Sequence, residues 1–426
     1  MKLPINVIRL STFTIVVLSL ALNSFAIDFD PAFGSGGKFL TLFSSSGQPS
    51  SDGSKVFIQP SGRSIVVGSH QEQGTGGAKR GFGLVGLTAG GVLDSSYANG
   101  GKLLLWDPGF HRFLISSQIL PDGSVLVLAD MSQSAEIHRP ELYKFTPAGQ
   151  PDTNFDADVN VRTGETWSVI VVPGSGGKIY LIVRHLNTQF SLVRLNSNGS
   201  RDTAFGPEGV RPFNLNRFLQ NPTITSLVEL DGGRLLLVGT YYDRSFEGLT
   251  FVIRLDSDSN IDRSFGTQGA VRIAIPGGSV ATAATKIQPD GKILLGGYWT
   301  FLGSNTLLMR LTTRGRLDHS FGTRGVVMDS FSGVNGIAGI ALAPDGKIIV
   351  AGSSGQKALP SNQRLFVMRY SPSGVRESFL VTNFVASDEA GATDIALQPD
   401  GKMVISGFTR NVAANATQLA SARFTP

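Results

Sequence analysis

Cysteine is absent from all 426 residues, and charged side chains make up only 16% of them. The first absence excludes disulfides and thiolate metal sites, so the folded chain must be held by its core alone. The second leaves nucleic acid binding without an electrostatic footprint: the net charge is +5, but Lys and Arg are scattered and form no basic run. Histidine numbers five, with no H-x-x-x-H pair, and there is no G-x-S-x-G elbow, P-loop or EF-hand pattern. The Gly-rich stretch 74–83 (GTGGAKRGFG) lacks the spacing of a phosphate cradle and reads as a loop. No metal site and no cofactor is expected. Helical periodicity is missing as well, and no apolar run after the first 26 residues approaches the roughly 20 needed to span a bilayer.

What is present is glycine, 52 in number, and a hydrophobic fraction of 41%. That combination suits many strands joined by tight turns. Residues 1–26 stand apart. Lys2 and Arg9 precede an apolar stretch from Phe13 to Leu22, and Ser24-Phe25-Ala26 places small residues where a signal peptidase reads. This is the pattern of a secretory signal peptide, and its apolar stretch is short for a membrane anchor. A secreted or periplasmic location is expected, with no membrane span left after cleavage.

Three signals then recur in fixed order through 27–426. The first is a turn: LPDGS at 120–124, LDGGR at 230–234, QPDGK at 288–292 and 398–402, APDGK at 343–347, with looser copies at 59–63 and 172–178. The second is an apolar strand ending in a basic residue, at Lys144, Arg194, Arg254, Arg310, Arg369 and Arg423, with a weaker copy at Gly86. The third is a phrase such as LDHSFGTRG, whose aromatic falls at Phe33, Tyr97, Phe155, Phe205, Phe265, Phe321 and Phe379. Seven units of about 57 residues, each readable as four short strands, predict an all-β, seven-bladed β-propeller of four-stranded blades. The chain opens on the third signal and ends on the second. Residues 27–50, with Lys38 to Phe43 as the strand, are therefore expected to complete the last blade, Asp30 meeting Arg423, and so close the ring and hide two sheet edges.

The basic residue that ends the third strand precedes an acid by eight: Lys144 and Asp152, Arg194 and Asp202, Arg254 and Asp262, Arg310 and Asp318, Arg369 and Glu377. Constant spacing across a hairpin turn points to a structural ion pair that fixes register. The aromatic after each acid is expected to wedge between blades.

These motifs, PDGKILLGG, the strand-ending Arg-Leu and LDxSFGxxG, resemble the delta-60 repeat of exported bacterial proteins. The resemblance covers essentially all of 27–426. It implies a propeller and brings no catalytic residues with it. It weakens around 152–161 (DTNFDADVNV), which lacks the Gly after Phe155, and at ESFLVTNF near the end. By analogy with NHL-type propellers the first strand of each unit is innermost, and aligning the units on the turn places Lys55, Ser116, Ser168, Thr225, Ala284, Gly339 and Asp394 at a channel mouth. These residues make no metal cage, and Glu229 and Asp394 are single carboxylates on separate blades.

Both short connections of each unit fall on one face of the ring and both variable ones on the other. The variable face is expected to carry His111, Arg112, His138, Arg139, Arg184, His185, Tyr241, Tyr242, Arg244 and Trp299, and Arg with aromatics is the composition of binding surfaces. The leading expectation is an exported, monomeric, non-enzymatic propeller that binds a protein, glycan or cell-surface component on that face. An extracellular carbohydrate-active hydrolase or lyase using the same face is the alternative, followed by a structural envelope module.

Overall fold

The second strand of a repeat reads as an unbroken apolar run, as in Leu235-Leu236-Leu237-Val238, where a half-exposed strand would alternate. Both of its faces are covered. In the computed structural model Leu235 and Leu237 pack into one core cluster with the preceding sheet, and Leu236 and Val238 into another with the following sheet. The structure describes residues 7–9 and 26–425, apart from 45–47, 75–76, 108–110, 135–136, 160–165, 186–188, 216–218, 244–246, 301–302, 331–333, 356–362 and 387.

Seven sheets, one per repeat, form the blades of a β-propeller, numbered in chain order as 48–105, 111–145, 166–213, 220–274, 279–329, 334–382 and 389–425, and helix among the described residues is confined to three 3-10 turns. Blade 4 shows the plan: Gln220–Leu230, Arg234–Tyr242, Gly248–Leu255 and Ala270–Ala274 pair antiparallel in chain order. Seven apolar clusters fill the seven seams, the one between blades 7 and 1 included, so the ring is closed. Blade 7 supplies three strands, Glu389–Leu397, Met403–Asn411 and Ala416–Thr425, and Lys38–Thr41 adds the fourth antiparallel to the last of these. Asp28–Phe29 pairs further along the same strand. The ring is thus closed by the expected strand, which ends at Thr41 rather than Phe43, and residues from Gln48 on already belong to the first strand of blade 1 rather than to the last blade. Val7–Arg9 lies parallel beside the outer strand of blade 4. Among the described residues no helix is long and apolar enough to cross a membrane.

Blade 2 departs from the plan, with three strands among the described residues. After Phe155 the chain runs beside the turn of blade 3, where Asp156 and Asp158 donate their amides to the carbonyls of Asn198 and Gly199. The reversal that Gly266 and Gly269 make at positive φ in blade 4 has no glycine to make it here. The aromatic wedge also fails once. Phe33, Tyr97, Phe265 and Phe321 lie against Gly91, Gly149, Gly315 and Gly374 of the next blade's turn, whereas Phe379 is 53% exposed. ESFLV has no glycine turn, so the strand Arg376–Thr382 starts at once and carries Phe379 outward.

Candidate functional site

The acidic residue of each repeat organises a cation cluster. Asp318 Oδ2 lies 2.8 Å from Arg310 Nε and 3.2 Å from Lys292 Nζ, the Lys of the preceding Asp-Gly turn. Its Oδ1 accepts from the hydroxyl and amide of Ser320, which explains the Ser of the SFG phrase. Burial pushes the Asp318 carboxyl up, but Ser320, Lys292 and Arg310 outweigh it and bring it down to about 2. Arg310 also donates to the Pro372 carbonyl of blade 6 at 2.5 Å, so the cluster ties two blades together. Arg254 pairs with Asp262 at 2.8 Å and reaches the Thr313 carbonyl. Arg423 pairs with Asp30 at 2.8 Å and reaches the Ala89 carbonyl.

Arg194 meets Asp202 at 2.7 Å, Lys144 meets Asp152 at 3.0 Å and Arg369 meets Glu377 at 3.2 Å. In blade 1, where Gly86 stands in place of the strand cation, Arg63 of the turn takes over. It lies 2.6 Å from Asp94 and donates to the Pro147 carbonyl of blade 2. These charges are spent on the ring itself. The Asp of the turn is spent too: Asp290, Asp345 and Asp400 each accept the amide two residues on.

First strands from all seven blades line a central channel of about 970 Å³. Each first strand carries a β-bulge at the same level: Thr225 is the extra residue in blade 4, Ala283 in blade 5 and Thr393 in blade 7. That corrects the sequence alignment, because the turn motif of blades 3 and 4 sits at a different place in a hairpin of unchanged length, Ile170 facing Ile182 just as Ser226 faces Val238. Ile170 and Ser226, not Ser168 and Thr225, are the level mates of Lys55 and Asp394. Asp394 lies 3.5 Å from Lys55 and accepts the inner-edge amide of Val56, while Ser116 accepts that of Val171. Glu229 accepts from the amide and hydroxyl of Ser175 on blade 3. These polar groups satisfy inner strand edges and link blades.

On the variable face, strands run into segments that look like loops in the sequence. Residues 69–81 are the arms of a hairpin, Ser64–Gly74 and Gly77–Leu87, and most of 129–141 is strand as well. The candidate binding residues consequently sit at or near strand ends and scatter over four blades. Arg112 of blade 2 donates to Tyr143 at 3.1 Å and Glu141 at 3.4 Å. Burial first, then Glu141, pushes the Tyr143 hydroxyl up to about 12. His111 is half-buried with its ring 6.0 Å from Phe113, and Arg139 is exposed. The His138 side chain and all of Arg244 lie outside the described residues.

In blade 3, Arg184 is half-buried, and His185 is buried with Nε2 2.9 Å from Ser191 Oγ. Tyr241 is buried under the Arg272 guanidinium, 5.5 Å from the ring centre. His185 and Tyr241 are therefore core residues and present no side chain to a partner, because strand alternation turns them into the seams.

Alternation turns Tyr242 the other way. It shares a sheet face with Leu236 and Val238, which pack against blade 5, and it is 51% exposed. Gln220 stands directly opposite it on the first strand and Gly248 on the third. From blade 5, Trp299 packs half-buried against the same inter-blade core. Tyr242 and Trp299 thus border one seam from its two sides. Tyr298, 40% exposed, faces the next seam, beside Gly336 of blade 6.

Three stretches, 177–205, 288–321 and 343–378, match the family model described as domain of unknown function (DUF5122) beta-propeller. Each of them spans the segment from an Asp-Gly-type turn to the acid that its cations meet. No curated protein matches the chain. Among solved structures, a glucose dehydrogenase is similar at 12% identity and a TM-score of 0.38, over 73% of this chain and 97% of that one. An endo-arabinase from Bacteroides thetaiotaomicron is similar at 16% identity and a TM-score of 0.33, over 65% of this chain and 97% of that one. At these values the likeness carries no argument about function.

One polar array went unseen in the sequence. Ser51 Oγ lies 3.0 Å from His70 Nδ1, and His70 Nε2 lies 3.2 Å from Glu72. The residue types are those of a hydrolytic triad, but Ser51 is 0% exposed and its Oγ accepts the amide of Phe43. The Phe43 ring in turn covers Gly83. The array fastens the tail of the closing strand to blade 1. No motif could have revealed it, because its members meet only through the pairing of Ser51 with His70 across two strands.

Proposed function

We propose that this protein is an exported, non-catalytic binding propeller that takes its ligand on the variable-loop face, at the seam between blades 4 and 5. The observation that carries the reading is Tyr242: a large aromatic, half in solvent, bordering a seam whose opposite side is built by Trp299. Exposed aromatics that are held in place by a rigid sheet lose little entropy on binding, which is why they serve as anchors. The Arg and His residues that composition first suggests are largely engaged within the fold. The leader at 1–26 and the delta-60 resemblance support a place in the periplasm or outside the cell. Immobilised protein is to be offered panels of cell-surface glycans and envelope proteins. Tyr242→Ala is expected to lower capture of the ligand at least tenfold, and Val92→Ser on the opposite face to leave it unchanged. Equal loss in both variants, or in neither, would overturn the assignment.

A further inference from the structure

We infer that the ligand of this seam is a neutral glycan, a conclusion that rests on the binding reading above. Beside Tyr242 the first strand is irregular: its register slips between Gln220 and Thr223. Asn221 there holds φ at 43°, in the left-handed region, immediately before Pro222. A residue that precedes proline is normally extended, so this backbone is strained. Bulges of this kind re-aim side chains and gather at binding sites. Gln220, Asn221 and Thr223 are all exposed.

The patch therefore combines an aromatic ring, two carboxamides and a hydroxyl. A carboxamide both donates and accepts in one plane, which matches neighbouring sugar hydroxyls that do the same. The tyrosine ring offers a flat apolar face to the C–H side of a pyranose. Gly248, opposite Tyr242 on the third strand, has no side chain to cover that flank of the ring. The recognition groups named are uncharged, so they suit a neutral sugar better than a polyuronate or a phosphorylated glycan.

The test is native electrophoresis of the full protein through gels containing galactomannan, xylan, arabinan, β-glucan or polygalacturonate. Retardation by at least one neutral polysaccharide and none by polygalacturonate is expected. Gln220→Ala and Tyr242→Ala should each weaken it at least tenfold, and Tyr242→Phe should retain it. Circular dichroism and thermal melts establish that the variants fold. If only polygalacturonate retards the protein and Tyr242→Ala abolishes this, the neutral-glycan claim is wrong while the seam stands. If a neutral glycan binds wild type and Tyr242→Ala equally, the seam itself is wrong. Retardation by no polysaccharide rules out the glycan, and the capture panel then decides whether the seam takes a protein.

Discussion

His70 lies at the point where the closing segment meets blade 1, with Ser51 on one ring nitrogen and Glu72 on the other. Burial pushes its imidazole below the ordinary histidine value, against the opposing pull of Glu72. Burial lowers His185 likewise. The unfolded chain, whose histidines titrate near pH 6.5, therefore binds these protons more readily than the folded one. The stability linked to neutral His70 and His185 is full above that pH and declines as pH falls through it toward the lower folded values. Asp318, down at about 2, acts in a separate window, its contribution fading only as pH drops from about 4 toward 2. Thermal melts should show a flat Tm between pH 7 and 8 and a fall between 6.5 and 5. The double substitution His70→Asn, His185→Asn should flatten that fall. A double variant with the wild-type slope would show that other groups set it.

At the scale of the element, the bulge of the first strand faces a glycine in five blades: Gly68, Gly239, Gly297, Gly352 and Gly407. A Cβ at Gly239 would overlap the Thr223 carbonyl oxygen, and Gly297, Gly352 and Gly407 meet the carbonyls of Ala281, Gly336 and Gly391 in the same way. Gly239→Ala must shift a bulge that lies beside Asn221, and it should lower the urea midpoint clearly. Gly303→Ala, where nothing lies within 4 Å, should leave the midpoint unchanged. Equal effects would mean the bulge adapts freely.

The same hairpins show what residue order reveals and what it hides. Turn, basic strand end and acid recur in fixed order, with the acid eight residues after the cation, so the blades and the Arg310–Asp318 type of contact are legible from residue order. The turn motif slides within a hairpin of constant length, so counting back from it puts Ser168 and Thr225, rather than Ile170 and Ser226, at the inward level of blades 3 and 4. Polar stretches such as 69–81 hide strands, because their residues carry no apolar alternation and even a buried position there is filled by His70. Tyr242 was legible as an aromatic at the variable face. Its opposite neighbour Gln220 was not, since only register brings the two together.

For the whole molecule, the ring is a set of nearest-neighbour seams, six crossed by continuous chain and one closed by residues from the far end of the sequence. The N-terminal segment serves both flanks of blade 7: Ile27 is buried between blades 6 and 7, while on the closing seam Phe33 packs on Gly91 and Lys102 reaches back to Thr41 and Leu42. In an array whose units contact only their neighbours, a lost interface destabilises its own flanks first. Removing 27–43 strips blade 7 of its outer strand and uncovers the edge of Ala416–Thr425. Hydrogen exchange of this variant should therefore accelerate most in blades 7 and 1, at Met403–Asn411 and Ser64–Gly74. Blades 4 and 5, on the far side of the ring, should keep their protection, and with it the seam of Tyr242 and Trp299. Uniform acceleration around the ring would mean that it opens as one cooperative unit. No loss of protection at blade 7 would mean that the N-terminal segment does not close it.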